Sequence, residues 1–161
     1  EATQAVVQAA RAQTAKPLIA KLSQDVTDLV PIAQAAVRGG ASALSIGNTF
    51  VGMSLDPATR ASRLGTLTGG LSGPAIRPLA VYRVWYTAQS VDVPIIGVGG
   101  IFTAEDAYEK IKAGATAVQI LTGFVYEGPA AVKRIIQGLL KLMERDGFQN
   151  ISEVVGSGTG A

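Results

Sequence analysis

Four times along this chain a short apolar run breaks into glycine or a turn and is followed by a helix-like pattern. The clearest case is Pro94-Ile95-Ile96-Gly97-Val98-Gly99-Gly100-Ile101-Phe102-Thr103. The next is Val118-Gln119-Ile120-Leu121-Thr122-Gly123-Phe124. A strand that runs into a helix and then into another strand returns parallel to itself, by a right-handed crossover. Repetition of that unit therefore predicts an α/β fold with a parallel sheet. The runs are continuously apolar, as in strands covered on both faces. Paired strand–glycine–helix turns also have a chemical meaning. The first N–H groups of a helix lack internal partners and carry its positive dipole end, and glycine lets a ligand approach the backbone. Two such turns in tandem predict a seat for a phosphate or another anion.

The remaining elements fall into register with this unit. Ala2 to Gln13 reads as a leading helix without an N-cap, and Pro17 to Leu22 as a first strand. Asp25, with Asp28 three residues on, predicts an N-cap for a helix along Val26, Leu29, Val30, Ala33 and Val37, stopped by Gly39-Gly40. Ala43 to Ile46 is the second strand, and a long glycine- and threonine-rich connection runs from Phe50 to Gly73. Pro78 to Ser90 reads as a helix whose Tyr82, Trp85 and Tyr86 pack against neighbours, and Pro94 to Val98 as the third strand. Thr103 and Asp106 have capping-box spacing ahead of a helix over Ala104 to Lys112. Val118 to Leu121 is the fourth strand, Pro129 to Arg145 the last long helix, and Ile151 to Val155 a short turn. Residues 1–161 read as one domain, with a loose tail from about 156 to 161.

Composition narrows the chemistry. There is no histidine and no cysteine, which excludes disulfides, thiolate sites and histidine-based triads, and leaves no metal site to expect. A net charge of +2 with scattered Lys and Arg argues against a nucleic-acid surface. No run approaches the length of a membrane span and no secretory leader is visible, so a cytoplasmic location is expected. Gly97-Val98-Gly99-Gly100 lacks the spacing of a dinucleotide fingerprint, and no Walker loop is present.

Among polar residues, Lys21 stands in an apolar strand. It either meets an anionic ligand or snorkels to solvent from a strand end. Asn48-Thr49 ends the second strand, either as a turn or as a donor–acceptor pair for a planar ligand. Thr68-Gly69-Gly70-Leu71-Ser72-Gly73-Pro74 is a glycine-rich approach to a helix. Asp56, Glu105 and Asp106 lie in loop or helix-start positions that need no catalytic role. No residue reads as a general base, so none is assigned as catalytic.

At these residues the chain resembles the dihydroorotate dehydrogenase family. The resemblance rests on Lys16-Pro17-Leu18-Ile19-Ala20-Lys21-Leu22-Ser23, Asn48-Thr49, Thr68 to Pro74, Ile95 to Ile101 and Gln119 to Phe124, in family order. It implies the carboxyl-terminal half of a TIM-type barrel, a parallel (βα)4 unit with a leading helix, binding FMN at the carboxyl ends of its strands. It also implies oxidation of dihydroorotate to orotate in pyrimidine synthesis. By position, Lys21 would meet the flavin ring, and Gly73, Gly99, Gly100, Leu121, Thr122 and Gly123 would line flavin and phosphate. Asn48 and Thr49 would bind the substrate ring or carboxylate. The family's catalytic Ser or Cys belongs to the half not represented here. Met53 to Ala88 is similar to the soluble form that partners an iron–sulfur flavoprotein, and Tyr108 to Val155 to the membrane-associated form that reduces quinone.

A half-barrel has two open edges and an uncovered face, which predicts pairing with a second copy into a closed barrel or with the missing half. Two alternatives remain open: a non-catalytic half-barrel scaffold that self-associates, and another phosphate-binding barrel enzyme.

Overall fold

The computed structural model describes residues 1–158. Four strands form one parallel sheet: β1 (Ile19–Leu22), β2 (Ala43–Ile46), β5 (Ile95–Val98) and β6 (Ala117–Gln119). Their order in space is their order in the chain, β1-β2-β5-β6. Each crossover therefore steps one strand in the same direction, as in a barrel wall, without the reversal of a doubly wound sheet. Helices α1 (Ala2–Ala12), α2 (Val30–Arg38), α3 (Arg77–Ala88), α4 (Ala104–Lys112) and α6 (Ala130–Asp146) accompany this sheet. Together the sheet and helices are half of a TIM-type barrel with the expected leading helix.

The core lies between the strands and the helices. Leu22, Leu44, Ile46 and Ile95 bury one face of the sheet against Leu29, Ala33 and Ala36 of the α2 region and Val84 of α3. The cross-strand register places Ile19, Lys21, Ser45, Ile96, Val98 and Gln119 on the other face. That face is only partly covered: Ile19 is 52% exposed, and Lys21 and Gln119 are exposed as well. The expectation of strands covered on both faces thus holds on the helical side alone. On α6, Val132, Ile136 and Leu140 form an exposed apolar row at helical spacing.

Five local differences from the sequence reading have physical causes. Helix α2 begins at Val30, not at Asp25. A helix opening at Asp25 would put Pro31 in its interior, whereas a start at Val30 places it in the first turn, where its missing N–H costs nothing. Asp28 accepts from the Val30 N–H at 3.0 Å. The long connection carries a hairpin, β3 (Phe50–Gly52) paired antiparallel with β4 (Gly69–Leu71), too short and glycine-rich to register as strands in sequence. The fourth strand ends at Gln119, because Thr122–Glu127 forms an extra short helix, α5. Trp85 packs on the core as expected, but Tyr82 is half exposed and stacks on Tyr86 with centroids 5.6 Å apart. A last short helix, α7, spans Ile151–Val154 behind an Asn150/Glu153 capping box. Within the tail, the Gly156 N–H donates to the Ile111 carbonyl and the Gly158 N–H to that of Lys112; residues 159–161 lie outside the described residues.

The Thr103–Asp106 capping box is present and extended. Asp106 accepts from the N–H groups of Phe102 and Thr103, both at 3.0 Å, and is paired with the Arg77 guanidinium. Burial alone would push the Asp106 carboxyl up; the Arg77 hydrogen bond and the two N–H donors outweigh it and hold it below the usual carboxylate range. One turn on, Lys110 is fully buried and its ammonium has no hydrogen-bond partner among the described residues. Its stem packs flush on Gly97, where a Cβ would fall 2.5 Å from Lys110 Cδ. Desolvation lowers the Lys110 pKa from 10.5 to about 8, only partly offset by Glu109 and Asp106.

Because the folded-state pKa of Lys110 lies below its unfolded value, its burial penalty is full below about pH 8 and is relieved as pH rises towards 10.5. Denaturant midpoints are therefore expected to rise over that interval. Lys110→Met is expected to raise stability at pH 7 by about 1–3 kcal/mol and to flatten that rise, since it removes a buried unpaired charge. Asp106→Ala is expected to destabilise by about 2–3 kcal/mol in urea melts at pH 7 through loss of the cap and of the Arg77 partner.

Candidate functional site

The parallel strands aim their carboxyl ends at one place, and there the chain forms a cavity of about 160 Å³. All nine residues singled out from sequence line it. Lys21 comes from β1, Asn48 and Thr49 from the segment after β2, and Gly73 from the turn before the 3-10 helix Pro74–Ile76. Gly99 and Gly100 follow β5, and Leu121, Thr122 and Gly123 join β6 to α5. A wider groove, about 910 Å³, lies on the outer helical layer beside Tyr82, Trp85 and Tyr108, and shares no residue with this cavity. The converging turns, not size, mark the strand-end cavity as the candidate site.

Lys21 stands on the open face of the sheet, and its ammonium donates to the Gly47 carbonyl at 2.7 Å. It forms no ion pair with an acidic side chain among the described residues, so its charge remains available to a ligand. Asn48 Oδ1 accepts from the Thr49 N–H at 2.9 Å. One lone pair of the carboxamide is thereby used, while its NH₂ has no partner among the described residues. Asn48 thus presents donors, which suit a carbonyl or carboxylate. Thr49 packs against the β4 strand, where a Cβ at Gly70 would lie 2.3 Å from Thr49 Oγ1.

The two helix starts beside the cavity are built unequally. At the start of α4 the protein uses its own carboxylate, since Asp106 consumes the N–H groups of Phe102 and Thr103 and its own N–H donates to Thr103 Oγ1. The first turn of α5 has no side-chain cap. Gly73 has φ +86°, a conformation that a side chain rarely adopts, while a Cβ there would meet nothing closer than Thr122 Cγ2 at 4.0 Å. The backbone rather than packing requires glycine at that point. At Gly123 the reverse holds: a Cβ would fall 2.2 Å from the Ile101 carbonyl oxygen. Thr122 Oγ1 donates to Ser72 Oγ at 3.0 Å, tying the glycine-rich approach to the α5 turn.

The lining contains one ammonium, three hydroxyls (Thr49, Ser72 and Thr122) and the amides of Asn48 and Gln119, but no carboxylate. Such a set can bind and orient an electron-rich ligand. It holds no group that would take a proton at neutral pH. Asp56 accepts from the Ala58 and Thr59 N–H groups and closes a turn, and Asp106 serves the α4 cap.

Two polar residues escaped the sequence reading. Gln24 is fully buried, and its Nε2 donates to the Asn48 carbonyl at 2.6 Å. Ser45 is buried opposite Lys21 in the β1–β2 register, its hydroxyl without a partner among the described residues. Neither belongs to a glycine turn, and the contact of Gln24 is with a main-chain atom, which leaves no mark on residue identity.

Comparison with known proteins agrees with this geometry. The family model for dihydroorotate dehydrogenase matches residues 1–143. The chain is 48% identical over 152 residues to the protein named dihydroorotate dehydrogenase B (NAD(+)), catalytic subunit, of Geotalea uraniireducens, covering 94% of this chain and 50% of that one. It is 47% identical over 157 residues to the protein of the same name from Porphyromonas gingivalis, covering 98% of this chain and 51% of the relative. The chain spans about half the length of the curated relatives it matches. With its four parallel strands, its strand-end cavity and this match, the chain belongs to the dihydroorotate dehydrogenase family.

Proposed function

We propose that this half-barrel supplies the FMN seat and part of the substrate contacts of a dihydroorotate-oxidising enzyme. The observation that carries this reading is the convergence of Lys21, Asn48, Thr49 and the three glycine turns on one cavity that contains no acid. The donor set fits a phosphorylated flavin. Hydroxyls and glycine turns suit its phosphate, and the Lys21 ammonium suits a ring that gains negative charge on reduction. A cavity of about 160 Å³ is smaller than the usual small-molecule site of about 300–1,000 Å³. It would suit the phosphate end, and Lys21 on the open face would be the residue to meet the ring.

FMN, when bound, supplies the hydride acceptor. This chain's own residues bind and orient. The turns formed by Gly73, Gly99 and Gly100, with Leu121, Thr122 and Gly123, would hold the phosphate end. The NH₂ of Asn48 and the hydroxyl of Thr49 orient the ring or carboxylate of dihydroorotate. No residue of the cavity removes a proton, so the base comes from the half not represented in this chain, and turnover by the chain alone is weak or absent. The residues read as one domain, and the activity belongs to the cytoplasm.

The uncovered face is where a complement would sit. Exposed Ile19 on edge strand β1 and the exposed row Val132, Ile136 and Leu140 on α6 are apolar surface that a closed barrel would cover. The same surface supports a second reading, in which two copies close on each other as a non-catalytic scaffold.

Free FMN titrated with the purified protein is expected to show saturable fluorescence quenching at micromolar protein. Lys21→Ala is expected to weaken that binding by about ten- to a hundredfold, since it removes a charge-assisted contact. A folded sample that leaves FMN fluorescence unchanged would overturn the flavin reading and favour the scaffold. In sedimentation at micromolar concentration, the protein without a complementary half is expected to self-associate; a clean monomer would rule out closure by two copies.

A further inference from the structure

We infer that Gln24 is a positioning residue for the substrate side of the cavity, acting through a single peptide plane. The inference rests on the proposal that Asn48 contacts the substrate. Gln24 lies in the turn between β1 and α2, away from the cavity lining. It is fully buried and donates from Nε2 to the Asn48 carbonyl at 2.6 Å. That carbonyl shares one planar, trans peptide unit with the Thr49 N–H, so the two groups point in opposite directions from the same rigid plate. The Thr49 N–H in turn donates to Asn48 Oδ1 at 2.9 Å. The plate is therefore gripped at both ends, by Gln24 on one side and by the Asn48 carboxamide on the other.

The consequence is directional. Whatever rotates the plate rotates the carboxamide bound to it, and with it the NH₂ presented to the cavity. Asn48 and Thr49 are exposed, and they lie between the end of β2 at Ile46 and the start of β3 at Phe50, outside any ladder. The neighbouring Asp25 reaches the same segment, accepting from the Val51 N–H at 3.4 Å, a longer contact that leaves Gln24 as the main clamp. Gln24 is also held where it is at a cost, because its Oε1 is buried without a partner. A buried carboxamide whose oxygen has no partner among the described residues is better explained by the one contact it makes than by core packing.

The test uses Gln24→Met, which keeps the length of the side chain and removes its donor. By ¹⁵N relaxation in the ligand-free protein, the Thr49 amide is expected to be rigid in the wild type, with an order parameter of about 0.85, and to fall below about 0.6 in Q24M. The amides of Leu44, Ser45 and Ile46 are expected to stay unchanged. In FMN-loaded protein, orotate affinity is expected to fall about tenfold while FMN affinity stays within about twofold. A merely structural role would move both ligands together. If Q24M does not fold, Gln24→Asn, which withdraws the donor by one methylene, is expected to give the same local loosening. A Thr49 amide that stays rigid in the folded variant overturns the inference, and so does an equal loss of FMN and orotate. Asn48→Ala separates the two readings: if it leaves orotate binding unchanged while Q24M still loosens Thr49, the substrate assignment has failed and the coupling has not.

Discussion

Parallel pairing in chain order is the constraint on which the rest of the molecule depends. Because β1, β2, β5 and β6 run the same way, all their carboxyl ends open on one side, and every following turn lands there. Residues as distant in sequence as Lys21 and Gly123 then line the same small cavity. No single side chain arranges this. The register of three ladders does, supported by the apolar layer of Leu22, Leu44, Ile46 and Ile95 against the helices.

The two faces of the sheet have opposite characters. One is sealed, to the point that Lys110 is buried without a partner beneath Gly97. The other carries Lys21, Ser45 and Gln119 among apolar neighbours and is left partly open. In a closed barrel that second face would be the lumen, and polar groups there would be satisfied by ligand or by opposing strands. The chain spans about half the length of the relatives it matches, and this face is the one left partly open. The cavity's lining residues include no carboxylate, so this face offers donors and hydroxyls but no acidic group.

Much of this was legible without coordinates. The pairing of Gly97-Val98-Gly99-Gly100 with Leu121-Thr122-Gly123 announced turns that meet at one cavity, because glycine at strand ends is a local signal with a local cause. The Thr103–Asp106 cap was readable for the same reason. The start of α2 was misplaced, since Asp25 and Asp28 both look like caps and only the position of Pro31 decides between frames. The β3–β4 hairpin escaped because its strands, Phe50–Gly52 and Gly69–Leu71, have neither length nor alternation. Helix α5 escaped because Thr122–Glu127 looked like a turn between strand and helix.

What the amino-acid sequence determined by itself was the repeating strand–helix unit, the glycine turns that meet at one cavity and the family, since each rests on residue type at short spacing. Tertiary structure alone decided which residues support them. Gln24 reaches a main-chain carbonyl 24 residues away, and Asp106 turns from a cap into an ion-pair partner of Arg77, 29 residues before it. It also decided that the α4 N-terminus is occupied by the protein's own carboxylate, while that of α5 has no side-chain cap. Such contacts depend on where the chain returns after a crossover, and a hydrogen bond to a backbone atom is indifferent to the identity of the residue that offers it.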